Sequence, residues 1–238
     1  MYLRSTIDNS FFELMFATQA YTNQVLHSNA EHQFRIINEE VKLLETALTC
    51  ESRCIEFFKH FSKVIATSEL EVVSKLQPQA LQIIEFLSNS ILKREIKENN
   101  SQETDNLLQG MMILLAAFLQ KYPQQKLAVG EKLLRHLVYE CMFEIPHGSK
   151  DQSRSIAPKC KSSLTRSHAF NLINVLGRDC LQNLGVTVDF LTGFNKDVAW
   201  RTSKESDWKI TLYNDEKSLT GYVGIKNLAC ICYMNSIN

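Results

Sequence analysis

The side chain with the clearest chemistry is a cysteine near the end of the sequence, Cys232, in the segment GYVGIKNLACICYMNSIN of residues 221–238. A thiolate is a strong nucleophile, and its pKa falls when the sulfur lies at the start of a helix or beside a histidinium. The residues after Cys232 can open a helix directly behind the sulfur, and GIKN before it can turn tightly enough to direct a polar side chain towards a reacting carbonyl. This arrangement indicates acyl transfer at a thiol.

The same segment resembles the cysteine box of the ubiquitin-specific proteases, papain-like thiol proteases with the approximate pattern G-[YF]-V-G-L-x-N-x-G-x-T-C-Y-[ML]-N-[SA]. Ten positions match, namely Gly221, Tyr222, Val223, Gly224, Asn227, Cys232, Tyr233, Met234, Asn235 and Ser236. The resemblance implies that Cys232 is the nucleophile and that Asn227 helps to form the oxyanion hole. It also implies hydrolysis of isopeptide bonds at the ubiquitin C-terminus, with ubiquitin and ubiquitinated proteins as partners. Ala229 and Ile231 stand where the family has Gly and Thr.

A thiol protease also needs a general base, and in the family that this segment resembles a His, oriented by an Asp or Asn, follows the cysteine. All six histidines here precede Cys232, and we expect them at the surface or the edge of the core: His27, His32, His60, His136, His147 and His168. Without the base, neither proton transfer of the acyl-transfer cycle can occur. We therefore expect these 238 residues alone to be inactive, as the N-terminal part, or a truncated gene model, of a large deubiquitinating protease.

The alternative hypothesis is a helical protein-interaction module without catalysis. No metal or cofactor is expected in either case. Cys230 and Cys232 are separated by one residue, whereas zinc-binding pairs have roughly two to four residues between the ligands and need further ligands nearby. Cys50 and Cys54 lie one helical turn apart, which favours packing, and the other cysteines follow no partner pattern: Cys141, Cys160 and Cys180.

A less specific resemblance covers the sequence upstream of the cysteine box. Residues 107–143 and 158–184 are similar to the helical segments that precede the catalytic domain in the very large ubiquitin-specific proteases. In both, a Pro-x-Cys-Lys stretch, here PKCK at residues 158–161, comes before a helix and then a linker. The resemblance therefore implies a helical region followed by a catalytic domain.

The composition favours a helical protein of a reducing compartment, the cytoplasm or nucleus. Gly (8) and Pro (4) are scarce, and seven cysteines at irregular positions fit reduced thiols better than a disulfide framework. The 26 basic and 26 acidic residues balance, which gives no argument for nucleic acid or a membrane as a partner. The N-terminus lacks the build of a signal peptide, and the most apolar run, residues 107–119, is shorter than the roughly 20 residues that span a bilayer.

Apolar residues at helical spacing predict successive helices over residues 1–186. They favour an all-α, irregular armadillo- or HEAT-like solenoid, with an irregular helical bundle as the alternative because no fixed repeat period is visible. The polar segments 97–105 and 144–160 are predicted to be exposed loops. Residues 187–220, with Trp200 and Trp208, are interpreted as a linker whose tryptophans dock on the helices or on the catalytic domain that begins at residues 221–238.

Local signals set some of the predicted helix boundaries. Ser68 and Glu71 have the spacing of a capping box, which predicts a helix start. Pro78 is predicted to end or kink that helix, and Pro123 to separate two others. A single further helix is predicted over residues 164–184.

Overall fold

The computed structural model describes residues 30–49, 54–98, 104–143 and 158–196, and every structural statement below concerns these residues. Within them the regular structure is helical, without a strand. The α-helices of these ranges are α1 (Ala30–Leu48), α2 (Ile55–Thr67), α3 (Leu70–Lys93), α4 (Asn106–Lys121), α5 (Lys126–His136), α6 (Ser163–Gly177) and α7 (Leu181–Lys196). A 3-10 turn, Pro123–Gln125, precedes α5, and a π-helical segment, Leu137–Met142, follows it.

Helices two apart in the chain pack against each other, so the array has two layers. One row consists of α2, α4 and α6, and the other of α1, α3, α5 and α7. The rows meet where consecutive helices pack, as at α3 and α4 or α6 and α7. Consecutive helices that alternate between two layers are the arrangement of an α-helical solenoid. The prediction of an all-α, solenoid-like fold is confirmed.

The helix α4 lies in the middle of its row and packs against α2, α3 and α6. It is buried on all sides, as expected for a helix that is apolar all round. Its Phe118 ring meets Phe61 of α2 edge to face, with the ring centroids 5.9 Å apart. At Gly110 the ring of Phe58 occupies the place of a side chain, so the glycine lets α2 and α4 approach closely.

Both ends of α4 are fixed by polar contacts. At its start, Asp105 accepts a hydrogen bond from a backbone N–H of the first turn at 2.9 Å. The same carboxylate accepts two hydrogen bonds from Arg94, at 2.8 and 3.0 Å. At its end, Tyr122 donates its hydroxyl proton to the Val73 carbonyl at 2.8 Å, and Pro123 begins the 3-10 turn. The predicted break at Pro123 is confirmed.

The predicted capping box at the start of α3 is wrong. The Ser68 hydroxyl donates instead to the carbonyl of Val64, at the end of α2, at 2.7 Å. Glu69 precedes α3, and its backbone N–H donates to the side chain of Gln33 in α1 at 3.0 Å. Pro78 does not end α3, which continues through it over 24 residues. Because Pro78 is exposed, water can reach the carbonyl that a backbone N–H at this position would have bonded.

The two predicted exposed loops are buried in part. Within residues 97–105, Glu98 is 1% exposed and Asp105 4% exposed. Within residues 144–160, Pro158 and Cys160 are buried. Polar composition predicted contact with solvent, but these residues contact the helical array instead.

The helix predicted over residues 164–184 is two helices, α6 and α7, separated by a turn at Arg178 and Asp179. Since α7 extends to Lys196, the first part of the segment predicted as a linker, residues 187–196, is helical. Each helix in the described ranges is either too short or too polar to span a lipid bilayer. Residues 221–238 lie outside those ranges, and the division into domains stays a prediction.

Candidate functional site

The two predicted catalytic residues, Cys232 and Asn227, lie outside the described residues, as do Trp200 and Trp208. Their placement stays a prediction. Within the described part of the chain, reactive and titratable side chains concentrate around a pair of buried cysteines, Cys141 and Cys160.

Cys141 lies in the π-helical segment that continues α5. The widened turn is seen in a hydrogen bond from the Phe143 N–H to the carbonyl of Val138, five residues earlier, at 3.0 Å. One turn before the cysteine, Nδ1 of the buried His136 lies 3.1 Å from Oε1 of Glu140. Single π-helical turns inside α-helices occur frequently at functional sites. This segment therefore brings a histidine, a carboxylate and a thiol to one end of α5.

Cys160 is brought to the same place by the segment that leads into α6. Backbone N–H groups of Lys159 and Cys160 donate to the carbonyls of Glu140 and Cys141, at 3.0 and 2.9 Å. The Lys159 ammonium lies 3.0 Å from Oε2 of Glu140 and 3.3 Å from Nε2 of His136. The two cysteines are therefore held side by side, with a lysine and a histidine next to them.

The start of α6 is held by a buried carboxylate, that of Glu98. It accepts hydrogen bonds from the backbone N–H groups of Lys161 and Ser162, both at 2.6 Å, and from the Thr165 hydroxyl. Ser162 is also the N-cap of α6, since its hydroxyl oxygen accepts from the Thr165 N–H at 3.1 Å. Because these bonds hold the residues directly after Cys160, they also hold the backbone that carries its thiol.

The surroundings of the two thiols shift their pKa values in opposite directions. The hydrogen bond from the Cys160 thiol, assisted by His136 and Lys159, lowers the pKa of Cys141 although burial opposes this shift. The same hydrogen bond, burial, and the negative charges of Cys141 and Glu98 raise the pKa of Cys160. Cys141 is therefore the member of the pair that ionises first, and Cys160 is its hydrogen-bond donor.

Sequence reasoning missed this thiol centre. His136 was expected at the surface or the core edge, but it is 5% exposed. A usable signal was the spacing of His136 and Glu140, which places both on one face of a helix directly before Cys141. No such signal linked Cys160, because it follows a predicted loop. Across the described ranges, no group of three or more His, Cys, Asp or Glu side chains could hold a metal ion.

A second candidate site is an apolar surface on α7, the last described helix. Four side chains there are between 46% and 85% exposed, and we call them the α7 stripe: Leu181, Leu184, Val188 and Leu191. Their spacing of three, four and three residues places them on one face. The opposite face packs on α5 and α6, where the buried Asn183 amide donates to the carbonyls of Lys126 and Leu176 at 2.9 and 3.1 Å.

The described helices form a two-layered, solenoid-like array, and the sequence after them includes the segment that resembles a thiol-protease cysteine box. The chain is 27% identical to "Ubiquitin carboxyl-terminal hydrolase puf" of Drosophila melanogaster over 188 residues, covering 77% of this chain and 4% of that protein. It is 25% identical to "Ubiquitin carboxyl-terminal hydrolase 24" of Homo sapiens over 201 residues, 78% of this chain and 8% of that protein. It is also 25% identical to "Probable ubiquitin carboxyl-terminal hydrolase FAF" of Drosophila melanogaster over 202 residues, 79% of this chain and 7% of that protein.

The chain is therefore a relative of the ubiquitin carboxyl-terminal hydrolases, and the resemblance stated from the sequence is confirmed at this level. It spans between 4% and 8% of the length of these three relatives. No protein-family model and no solved structure matches the chain.

Proposed function

We propose that the chain is part of a larger deubiquitinating cysteine protease that hydrolyses isopeptide bonds at the C-terminus of ubiquitin. The observation that carries this proposal is the similarity to ubiquitin carboxyl-terminal hydrolases over more than three quarters of the chain, 77–79%. The cysteine box supports the same reaction. In this proposal ubiquitin and ubiquitinated proteins are the partners, and the protein acts in the cytoplasm or nucleus, which a fluorescent fusion would check.

In the proposed reaction the thiolate of Cys232 attacks the terminal carbonyl carbon of ubiquitin, and Asn227 donates a hydrogen bond to the oxyanion that forms. The leaving lysine amine must take up a proton, and water must then be activated to release the acyl group. A histidine would act as the general acid in the first step and as the general base in the second, and none follows Cys232 among these residues. We therefore propose that the 238-residue chain does not catalyse turnover by itself.

The test compares the 238-residue chain with the protein translated from the reading frame as it continues after Asn238. Both are incubated with ubiquitin that carries an alkyne warhead at its C-terminus and, separately, with a fluorogenic ubiquitin substrate. We expect labelling and turnover in the extended protein, loss of both in Cys232→Ala, and roughly 10²–10³-fold slower turnover in Asn227→Ala. Cys230→Ala is the matched control and keeps activity.

Labelling that persists in Cys232→Ala would show that the nucleophile is assigned wrongly. Turnover by the 238-residue chain would contradict the proposed need for a base outside it. A stop codon directly after Asn238 in transcripts would favour the second candidate function.

The second candidate is a helical protein-interaction module, and the observation that favours it is the α7 stripe. Solenoids need a polar outer face on their terminal helices to stay soluble. The described part of the array ends instead on exposed leucines and a valine. Such a stripe fits the apolar face of an amphipathic partner helix.

Binding of a fluorescent hydrophobic dye to the 238-residue chain tests whether the stripe is accessible. We expect Leu184→Glu to reduce dye fluorescence, because it places a charge in the middle of the stripe. Gln182→Glu, an exposed change on the same helix, is the control and leaves fluorescence unchanged. Equal fluorescence of both variants and the unaltered chain would show that the stripe is covered within the protein.

A further inference from the structure

The thiol centre at the end of α5 has no part in the proposed hydrolase reaction, whose nucleophile is Cys232. Cys141 and Cys160 are each 0% exposed, and a backbone hydrogen bond of 2.9 Å joins them directly. A disulfide spans α-carbons roughly 4.4–6.8 Å apart, and residues that a backbone hydrogen bond holds opposite each other can lie within this range. Each thiol also shifts the pKa of the other, as side chains in close proximity do.

We propose that Cys141 and Cys160 are a site of reversible oxidation, at which a peroxide converts the two thiols into a disulfide. Cys141 is the attacking thiol and Cys160 the resolving thiol. Lys159 supplies positive charge near Cys141, while the carboxylates of Glu98 and Asp105 supply negative charge near Cys160. This asymmetry gives the pair one nucleophile and one proton donor, the combination that a two-step oxidation requires.

The reaction balances with hydrogen peroxide as the oxidant. The Cys141 thiolate attacks one peroxide oxygen, the O–O bond breaks, and the departing hydroxide takes up a proton, leaving a sulfenic acid on Cys141. The Cys160 sulfur then attacks the Cys141 sulfur, the S–OH bond breaks, and the hydroxide leaves as water with the Cys160 proton. In total two thiols are oxidised, one peroxide is reduced, and two waters form.

The disulfide would add a covalent bond between two parts of the array that hydrogen bonds already hold together. One end of the bond lies on the continuation of α5, and the other lies next to the start of α6, which Glu98 holds. Closing this loop constrains the unfolded chain, which raises the Tm by roughly 6–12 °C for a domain of this size.

The experiment uses the full 238-residue chain, reduced and then treated with hydrogen peroxide under native conditions. We expect the intact mass to fall by two hydrogens and the Tm to rise, both reversed by a thiol reductant. Trypsin cleaves between the two cysteines, so the bond is identified as a cross-link between peptide 136–150 and peptide 160–161. In Cys160→Ser we expect the cross-link to be absent and a dimedone-reactive sulfenic acid on Cys141.

Cys54→Ser is the matched control, because Cys54 is also 0% exposed and lies on another helix end. This variant should keep the cross-link. Two reduced cysteines after treatment, or a cross-link that maps to a different pair, would overturn the proposal. Since the mapping on the unaltered chain needs no substitution, this outcome does not depend on how well the serine variants fold.

Discussion

The helices α4 and α7 have the same length, 16 residues, and each carries apolar residues on more than one face. In α4 these residues are buried between α2, α3 and α6. In α7 only the face towards α5 and α6 is covered by described residues, and the α7 stripe is exposed. The two helices are thus alike in length and in carrying apolar residues on several faces, but they differ in what surrounds them. The helix α4 lies in the middle of its row, whereas α7 lies at the end of its row.

The difference has an energetic consequence. Apolar burial stabilises a fold in proportion to the area removed from water, so a leucine of α4 contributes more than a leucine of the α7 stripe. It also has a functional consequence, because an exposed apolar face is available for contact with another surface. Three pairs of substitutions test the difference.

The largest expected effect comes from truncating a leucine in each helix. Leu115 is 0% exposed and Leu181 is 85% exposed. We expect Leu115→Ala to lower the free energy of unfolding by about 2–5 kcal/mol, since it removes buried methyl groups and leaves a cavity. Leu181→Ala should change it by no more than about 0.5 kcal/mol. Urea unfolding followed by circular dichroism measures both, and equal losses would mean that the stripe is covered in solution.

The next effect comes from replacing one glycine in each helix by alanine. We expect the two replacements to change the free energy of unfolding in opposite directions. A methyl group on Gly110 of α4 would overlap the ring of Phe58, whereas nothing lies within 4 Å of the same position on Gly185 of α7. We expect Gly110→Ala to destabilise the fold by roughly 1–3 kcal/mol because the core cannot accept the added volume. Gly185→Ala should stabilise it by about 0.5–1 kcal/mol, because alanine restricts the unfolded chain. Thermal unfolding measures both variants. A change in Tm of the same sign in both would contradict the expected difference between the two helices.

The smallest effect concerns how α7 is attached. Asn183→Ala leaves the carbonyls of Lys126 and Leu176 without the amide donor. We expect α7 to lose about 1–2 kcal/mol of stability. The backbone amides of α7 should then exchange faster, while those of α4 keep their protection against exchange. Hydrogen exchange read by mass spectrometry separates the two helices. The control is Asn174→Ala, a change at an exposed position. If the α4 amides also lose protection after Asn183→Ala, the two helices unfold together.

The boundaries of α3 show why short sequence patterns predict the presence of a helix better than the residues at which it begins and ends. Apolar spacing predicted the helix, but its start is capped by Gln33 of α1, which lies 36 residues before Glu69. A sequence pattern that spans four residues cannot contain that partner. Pro78 was expected to end or kink the helix, and it does not end it; the proline is exposed, where water can bond the carbonyl that it leaves without an N–H partner.

The buried polar residues show a different limit. Glu98 and Cys160 stand in segments of polar composition, which predicted exposed loops. Both are buried because each meets groups contributed by other segments, Glu98 at the start of α6 and Cys160 at the end of α5. Composition describes a segment by itself, whereas burial depends on what the rest of the chain places next to it.

The sequence alone determined that the described residues are helical, that two helices are separated at Pro123, and that the chain is related to ubiquitin hydrolases, because helical periodicity and a cysteine motif are local patterns. Only the tertiary structure decided that Cys141 and Cys160 meet, that Glu98 holds α6, and that one face of α7 is left uncovered by the described helices. These features depend on contacts between residues far apart in the chain. Such contacts are set by how the two rows of helices stack, which no short stretch of sequence encodes.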